Sequence, residues 1–268
     1  MSKTITGLGP REAEFLSKGA SENGGEFAIE YAAKFWGSGK MARKKLYDLQ
    51  KRGWITRVER GKYFIVPLEA GPSRQWSQDT YAVAAALVQP ASIAYWSAIR
   101  HWNWTEQIPQ IVYVQTTARK SRPRRIISGV QYDIVTVSSR QFYGNIKEWR
   151  NGKPVLVTAK EKTLVDCADD VGRAGGIEEL GKAIKSGANE ISWEKLDDFA
   201  RRFPNGAVLK RLGFLFETLV PNLTRQATVI LESWQSDLTA GVVPLQPAGT
   251  VTGKITTRWR LKINAEVG

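Results

Sequence analysis

Between Glu26 and Pro67 the apolar positions follow a helical period twice and then switch to a strand period, which predicts helix, break, helix and hairpin. Phe27, Tyr31 and Phe35 recur at i, i+4 and i+8 and predict a helix over 27–36, and Gly37-Ser38-Gly39 breaks it. The next helix, Ser38 to Arg52, sorts its side chains by face. Lys40, Arg43, Lys44, Tyr47 and Lys51 fall on one side at i, i+3, i+4, i+7 and i+11, whereas Ala42, Leu46 and Leu49 gather opposite. Gly53 stops this helix, and strands over 54–58 and 62–66 are expected to pair across Glu59-Arg60-Gly61. Upstream, Pro10 sits where a first helical residue belongs, and Ala13, Phe15 and Leu16 predict a short helix over 11–18.

Beyond a polar stretch around Gly71-Pro72-Ser73 the pattern changes. Helices are predicted over 79–88 and 92–102, followed by an apolar run, Ile111 to Val114, of the kind that fills a strand covered on both faces. Strands over 129–139 and 155–158 come next. From Lys160 the helical period returns, with stripes at Leu164, Ala168 and Val171, at Ile177, Leu180 and Ile184, and at Trp193, Leu196, Ala200 and Phe203 behind the N-cap Ser192. Val208, Leu212, Leu215 and Leu219 extend the bundle. The tail from Val251 to Ile263 alternates and predicts one half-buried strand with a basic outer face. The fold class expected is α+β: a winged helix-turn-helix over 1–70, a linker over 71–79, and a larger mixed α/β domain over 80–268.

Charge narrows the choice of partner. A formal net charge of +13 over 268 residues, densest in residues 1–75, favours a polyanion captured by electrostatic steering. Ser38, Lys40, Arg43, Lys44, Tyr47 and Lys51 on the second helix and Arg57, Arg60 and Lys62 on the wing are the candidate DNA-binding residues. A helix with this face fits a major groove about 12 Å wide. Charge runs are ordinarily solvated helix faces, and it is the surrounding helix, turn and hairpin that shift the balance to DNA. Arg119, Lys120, Arg122, Arg124 and Arg125 form a second candidate basic surface, placed in a loop by Pro123. Extra DNA contacts, tRNA, an acidic protein surface and plain solvation all remain open for it. Tyr95, Trp96, Trp102 and Trp104 resemble a base-stacking platform, but their helical spacing favours a core.

Several segments of the chain, in order and approximate spacing, are similar to the AbiEi family of antitoxin-repressors from bacterial type IV toxin-antitoxin systems. They are ARKKLYDLQKRGWITRVERGKYFIVP, SIAYWSAIRHWNWTEQIPQIVYVQTT, GVQYDIVTVSSRQFYG, AKEKTLVDCAD, GGIEELGKAI, LDDFARRFPNGAVLKRLGFLFE and RWRLKIN. The first segment is common to many bacterial regulators, and the later ones are more telling. The resemblance implies a protein that represses its own operon by binding inverted or direct promoter repeats, and whose second domain counteracts a nucleotidyltransferase toxin. It leaves open whether a direct toxin complex forms. The rival reading is a stand-alone regulator whose second domain senses a ligand or a protein, and a third is an interaction protein with an incidental winged fold.

Catalysis is not expected. Gly37-Ser38-Gly39-Lys40 lacks the spacing and the preceding strand of a phosphate loop, and Met41 follows the lysine. Asp/Glu-x-Lys, wanted by metal-dependent nucleases of the restriction type, occurs nowhere. One cysteine, Cys167, and one histidine, His101, build neither a usual zinc site nor a convincing thiol–imidazole pair, because the carboxylates near Cys167 raise its pKa. Asp166, Asp169 and Asp170 are expected on a solvated helix face or paired with Lys160 and Lys162. No cofactor and no metal are anticipated. The opening Met-Ser-Lys-Thr lacks a secretory signature and no apolar run is long enough for a membrane span, so the expected location is the cytoplasm, with no membrane partner.

Overall fold

The computed structural model describes residues 7–66, 79–127, 129–150 and 153–267. The expected linker, Asp79 apart, lies outside them, as do the first six residues. The architecture is mixed α+β, with helices α1 (Pro10–Asn23), α2 (Ile29–Trp36) and α3 (Gly39–Lys51) set around a small antiparallel sheet. That sheet orders β1 (Glu26–Ala28), β3 (Lys62–Ile65) and β2 (Ile55–Glu59) side by side. Gly24 and Gly37 take left-handed φ of 57° and 80°, ending α1 and α2. Ser38 starts α3 by accepting from the Met41 amide at 3.2 Å. Phe15, Phe27, Trp36, Leu46, Leu49, Ile55 and Tyr63 fill the core between these elements. A Cβ on Gly19 would stand 2.9 Å from Ile65 Cδ1, so α1 lies close on β3.

Phe27, expected in a helix, lies instead in β1. Its ring faces the same core, and Glu26–Ala28 satisfies its backbone groups on β3 with Phe27 opposite Tyr63.

After α4 (Thr80–Leu87), capped by Asp79 Oδ1 on the Tyr81 and Ala82 amides, the chain builds a six-stranded sheet. In sequence its strands are β4 (Ser92–Ile93), β5 (Ile111–Thr116), β6 (Arg124–Ile127), β7 (Val130–Thr136), β8 (Asn145–Arg150) and β9 (Lys153–Thr158), with α5 (Tyr95–His101) inserted after β4. In space the order is β6-β7-β5-β4-β9-β8. The Ile111–Val114 run lies in an interior strand, as its composition predicts. The helix expected from Ser92 begins only at Tyr95, because Ser92 and Ile93 pair with both β5 and β9.

Arg124 and Arg125 are on an edge strand, not in a loop: β6 pairs antiparallel with β7 in the register Arg124↔Asp133 and Arg125↔Tyr132. Helices α6 (Lys160–Asp169), α7 (Ile177–Gly187), α8 (Trp193–Arg202), α9 (Ala207–Leu219) and α10 (Arg225–Ser236) bury the expected stripes in one large cluster.

The tail departs from a single alternating strand. Short strands β10 (Val243–Pro244), β11 (Lys254–Thr256) and β12 (Leu261–Ile263) form a separate small sheet, and residues 257–260 turn between the last two. Trp259 sets that turn: its indole is buried over Gly213 of α9, and Nε1 donates to Glu217 at 2.6 Å. Val251 and Ile255, expected inside, are exposed.

The wing strands serve two cores at once. Ile55, Tyr63 and Ile65 belong to the N-terminal cluster, while Val58 and Phe64 are buried with Val83, Leu87, Val112, Ile127 and Tyr132 of the larger sheet and α4. Alternation of side chains along a strand makes this two-sided packing possible.

Candidate nucleic-acid interface

Helix α3 and its C-cap Arg52 carry two kinds of cation. Lys45 and Arg52 turn back to Glu12 of α1, at 3.2 Å and 2.9 Å, and Arg52 also donates to the Gly7 carbonyl at 3.1 Å. Burial pushes the Glu12 carboxyl up, but hydrogen bonds from Arg52, from the Gly9 amide and from Lys45 outweigh it and hold the group below the usual carboxylate range. Lys40, Arg43, Lys44 and Lys51 are exposed and have no ion pair among the described residues. Tyr47, 67% exposed, stands in the same row. Its ring and hydroxyl are accessible to a partner.

The wing adds to this face from the other side. Gly61 at the hairpin tip has φ 82°, a conformation that favours glycine, and Arg60 beside it is exposed. Arg57 is exposed and donates from Nε to the Glu59 carbonyl at 3.3 Å, which fixes its stem along the strand. Arg43 and Tyr47 of α3 line one concavity of about 660 Å³ together with Arg57, Arg60 and Tyr63 of the wing and Glu30 of α2. Three guanidinium groups from two elements therefore share a single concave face. Arg presents a planar fork suited to phosphate oxygens or a guanine edge. Ser38 is exposed, and its Oγ is engaged as the α3 cap.

Lys62 does not join that group. Its ammonium donates to the Ala86 carbonyl, near the C-terminal end of α4, at 2.9 Å. The second basic surface is likewise divided. Lys120 and Arg125 lie 3.6 Å and 3.5 Å from Glu59 of the wing, both half-buried, whereas Arg119, Arg122 and Arg124 are exposed. These pairings join residues about 24 to 66 positions apart, so no local pattern announces them. Glu12 is different: three positions after Gly9, beside Pro10, it has the placement of a helix-start carboxylate, and its Oε2 accepts from the Gly9 amide at 3.2 Å.

The other candidates fall inside the protein. Tyr95 and Trp104 are buried, Trp96 and Trp102 pack against the large cluster, and the indoles of Trp102 and Trp104 donate to the Thr158 carbonyl and Glu190. These rings are core and not a stacking platform. Asp166 takes the expected pairing with Lys162, but the pair is buried and not on a solvated face; burial pushes its carboxyl up, and Lys162 opposes that. Lys162 Nζ also lies 4.9 Å from the Tyr143 ring centroid. Lys160 pairs with Glu190 at 2.7 Å, Asn205 donates to Asp169, and Arg173 pairs with Asp170.

Cys167 is fully buried, which pushes its thiol up. Arg150 donates to His101 Nδ1 at 3.0 Å, and burial together with that guanidinium holds the imidazole below its usual range. Among the described residues no group of three or more His, Cys, Asp or Glu side chains is placed to hold a metal ion, and no helix is long and apolar enough to cross a membrane.

No family model and no curated protein sequence matches the chain. Its fold is similar to that in the crystal structure of the RV2827C protein from Mycobacterium tuberculosis, with a TM-score of 0.69 at 13% identity, over 97% of this chain and 93% of that one. The likeness spans the winged N-terminal part and the larger mixed part together.

Proposed function

We propose that the chain binds duplex DNA sequence-selectively through α3 and the wing and acts as a repressor by occupancy, without chemistry. The observation that carries this reading is the convergence of Arg43 and Tyr47 with Arg57 and Arg60 on one concave face, beside a row of exposed lysines. In this reading α3 enters the major groove, Arg43 reaches a base edge or flanking phosphate, Lys40, Lys44 and Lys51 contact phosphates, and the wing straddles the backbone. The sequence resemblance to AbiEi antitoxins extends the proposal. The bound operator, with inverted or direct repeats, is the chain's own promoter, and residues 80–268 counteract a nucleotidyltransferase toxin in the cytoplasm.

The test is a titration of the full chain against the duplex upstream of its own coding sequence and against a scrambled duplex of equal length. The reading expects preference for the former by at least about a thousandfold at physiological salt. Equal affinity for both removes the repressor role. Rescue of growth on co-expression with a neighbouring nucleotidyltransferase gene decides the antitoxin role separately.

A further inference from the structure

The wing is clamped to the larger sheet by contacts that do not face the proposed DNA groove. The β2–β3 register runs Arg57↔Tyr63 and then Glu59↔Lys62, with an irregularity between Arg57 and Glu59. A bulge at that point re-aims the strand. Arg57 lines the concave face, Val58 enters the core of the larger sheet, and Glu59 reaches Lys120 and Arg125. On the partner strand Tyr63 lines the groove, while Phe64 is buried with Val58 and Lys62 holds the Ala86 carbonyl. The α4 carbonyl it takes is one of those a helix end leaves without an intrahelical donor.

Resting on the DNA-binding reading above, we infer that Glu59 and Lys62 are positioning residues for DNA recognition: they fix the wing hairpin against α4 and the β5–β6 connection so that Arg57 and Arg60 stand opposite α3. The larger part of the chain thereby sets the geometry of the reader, and any ligand or protein that shifts α4 or β6 changes DNA affinity through the wing.

Charge alone predicts the opposite sign for one substitution. Removing the carboxylate of Glu59 beside a DNA-binding face should tighten binding to a polyanion, whereas loss of the clamp should weaken it. The experiment uses full-length Glu59→Gln and Lys62→Met, the second keeping an apolar stem without the ammonium. Amide hydrogen exchange without DNA is followed by titration of the upstream duplex at several salt concentrations.

The clamp predicts that amides pairing β2 with β3 exchange faster in both variants while those of α1 and α3 are unchanged: roughly tenfold in Lys62→Met, which loses a hydrogen bond, and about two- to fivefold in Glu59→Gln, which loses two part-exposed ion pairs. It also predicts weaker DNA binding by Glu59→Gln, with a slope of log affinity on log salt shallower by up to about 1.8 as Arg57 and Arg60 disengage. Reversing the pairing with Glu59→Lys, Lys120→Glu and Arg125→Glu should restore slow exchange. Unchanged hairpin exchange in both variants overturns the clamp, and so does tighter binding by Glu59→Gln. If the unsubstituted chain binds no duplex, the DNA reading fails while the exchange measurement still decides whether the wing is clamped.

Discussion

Two cations two positions apart on α3 should behave as if they belonged to different proteins. Arg43 is exposed in the concave face with Arg57 and Arg60, and Lys45 is committed to Glu12 at 3.2 Å. Replacing Arg43 by Ala removes no contact that holds the fold, so the thermal midpoint should move by less than about 2 °C. If its guanidinium meets a base edge or a phosphate pair, the substitution costs about 1 to 3 kcal/mol of binding, or about 5- to 150-fold in affinity.

Lys45→Ala should reverse the pattern. Its ion pair is 37% exposed on the lysine side, so solvent screening limits its worth to about 0.5 to 1 kcal/mol, and Glu12 keeps Arg52 as a partner. A midpoint lower by about 1 to 4 °C follows for a chain of this size, with DNA affinity within about threefold of the parent, since only a distant, screened charge is lost. Fluorescence anisotropy on the upstream duplex and thermal unfolding of the same samples read both quantities. Equal loss of DNA affinity in the two variants would refute the division of α3 into a structural and a recognition face.

Acid should weaken the same α1–α3 joint. Because Glu12 titrates below its ordinary value of 4.5 in the folded chain, the stability it contributes is complete above that value and disappears as pH falls through the lower folded value. The deficit of Glu12→Gln against the parent in urea unfolding should therefore be constant near neutrality and shrink as pH falls below 4.5; a deficit that does not shrink with acid assigns the loss to packing. Cys167, fully buried with its thiol pushed up, should react with a thiol reagent only after unfolding. Fast reaction in native buffer, followed as label incorporation with time, would show that α6 opens locally.

The periodic signals transferred well because they record burial. Ala42, Leu46 and Leu49 went inside and Lys40, Arg43, Lys44, Tyr47 and Lys51 outside, as a helix turning 100° per residue requires. Trp193, Leu196 and Ala200 on α8, and Phe203 at its C-cap, behaved likewise. Short strands transferred poorly. Residues 26–28 and 92–93 are too few to show a period, and their strand character comes from partners 21 to 64 positions away.

β8, at the sheet edge, gave no warning either, since an edge strand with Lys147 and Trp149 exposed reads like a loop. α10 carries a legible start signal in its N-cap Thr224, whose side chain accepts from the Ala227 amide at 3.1 Å. The candidate interface was legible wherever one helix or one hairpin carries it. The pairings of Lys62, Lys120 and Arg125 were not legible because they depend on how the wing meets the larger sheet, a tertiary fact that local charge does not encode.

The most direct test of the proposal that α3 and the wing bind duplex DNA is the salt dependence of affinity for the upstream duplex. Six exposed cations, Lys40, Arg43, Lys44, Lys51, Arg57 and Arg60, stand on that face. If each neutralises one phosphate, log affinity falls with log salt at a slope of about −5, a loss of about a thousandfold between 50 and 200 mM. A slope shallower than about −2 would contradict the assignment of this face to duplex DNA.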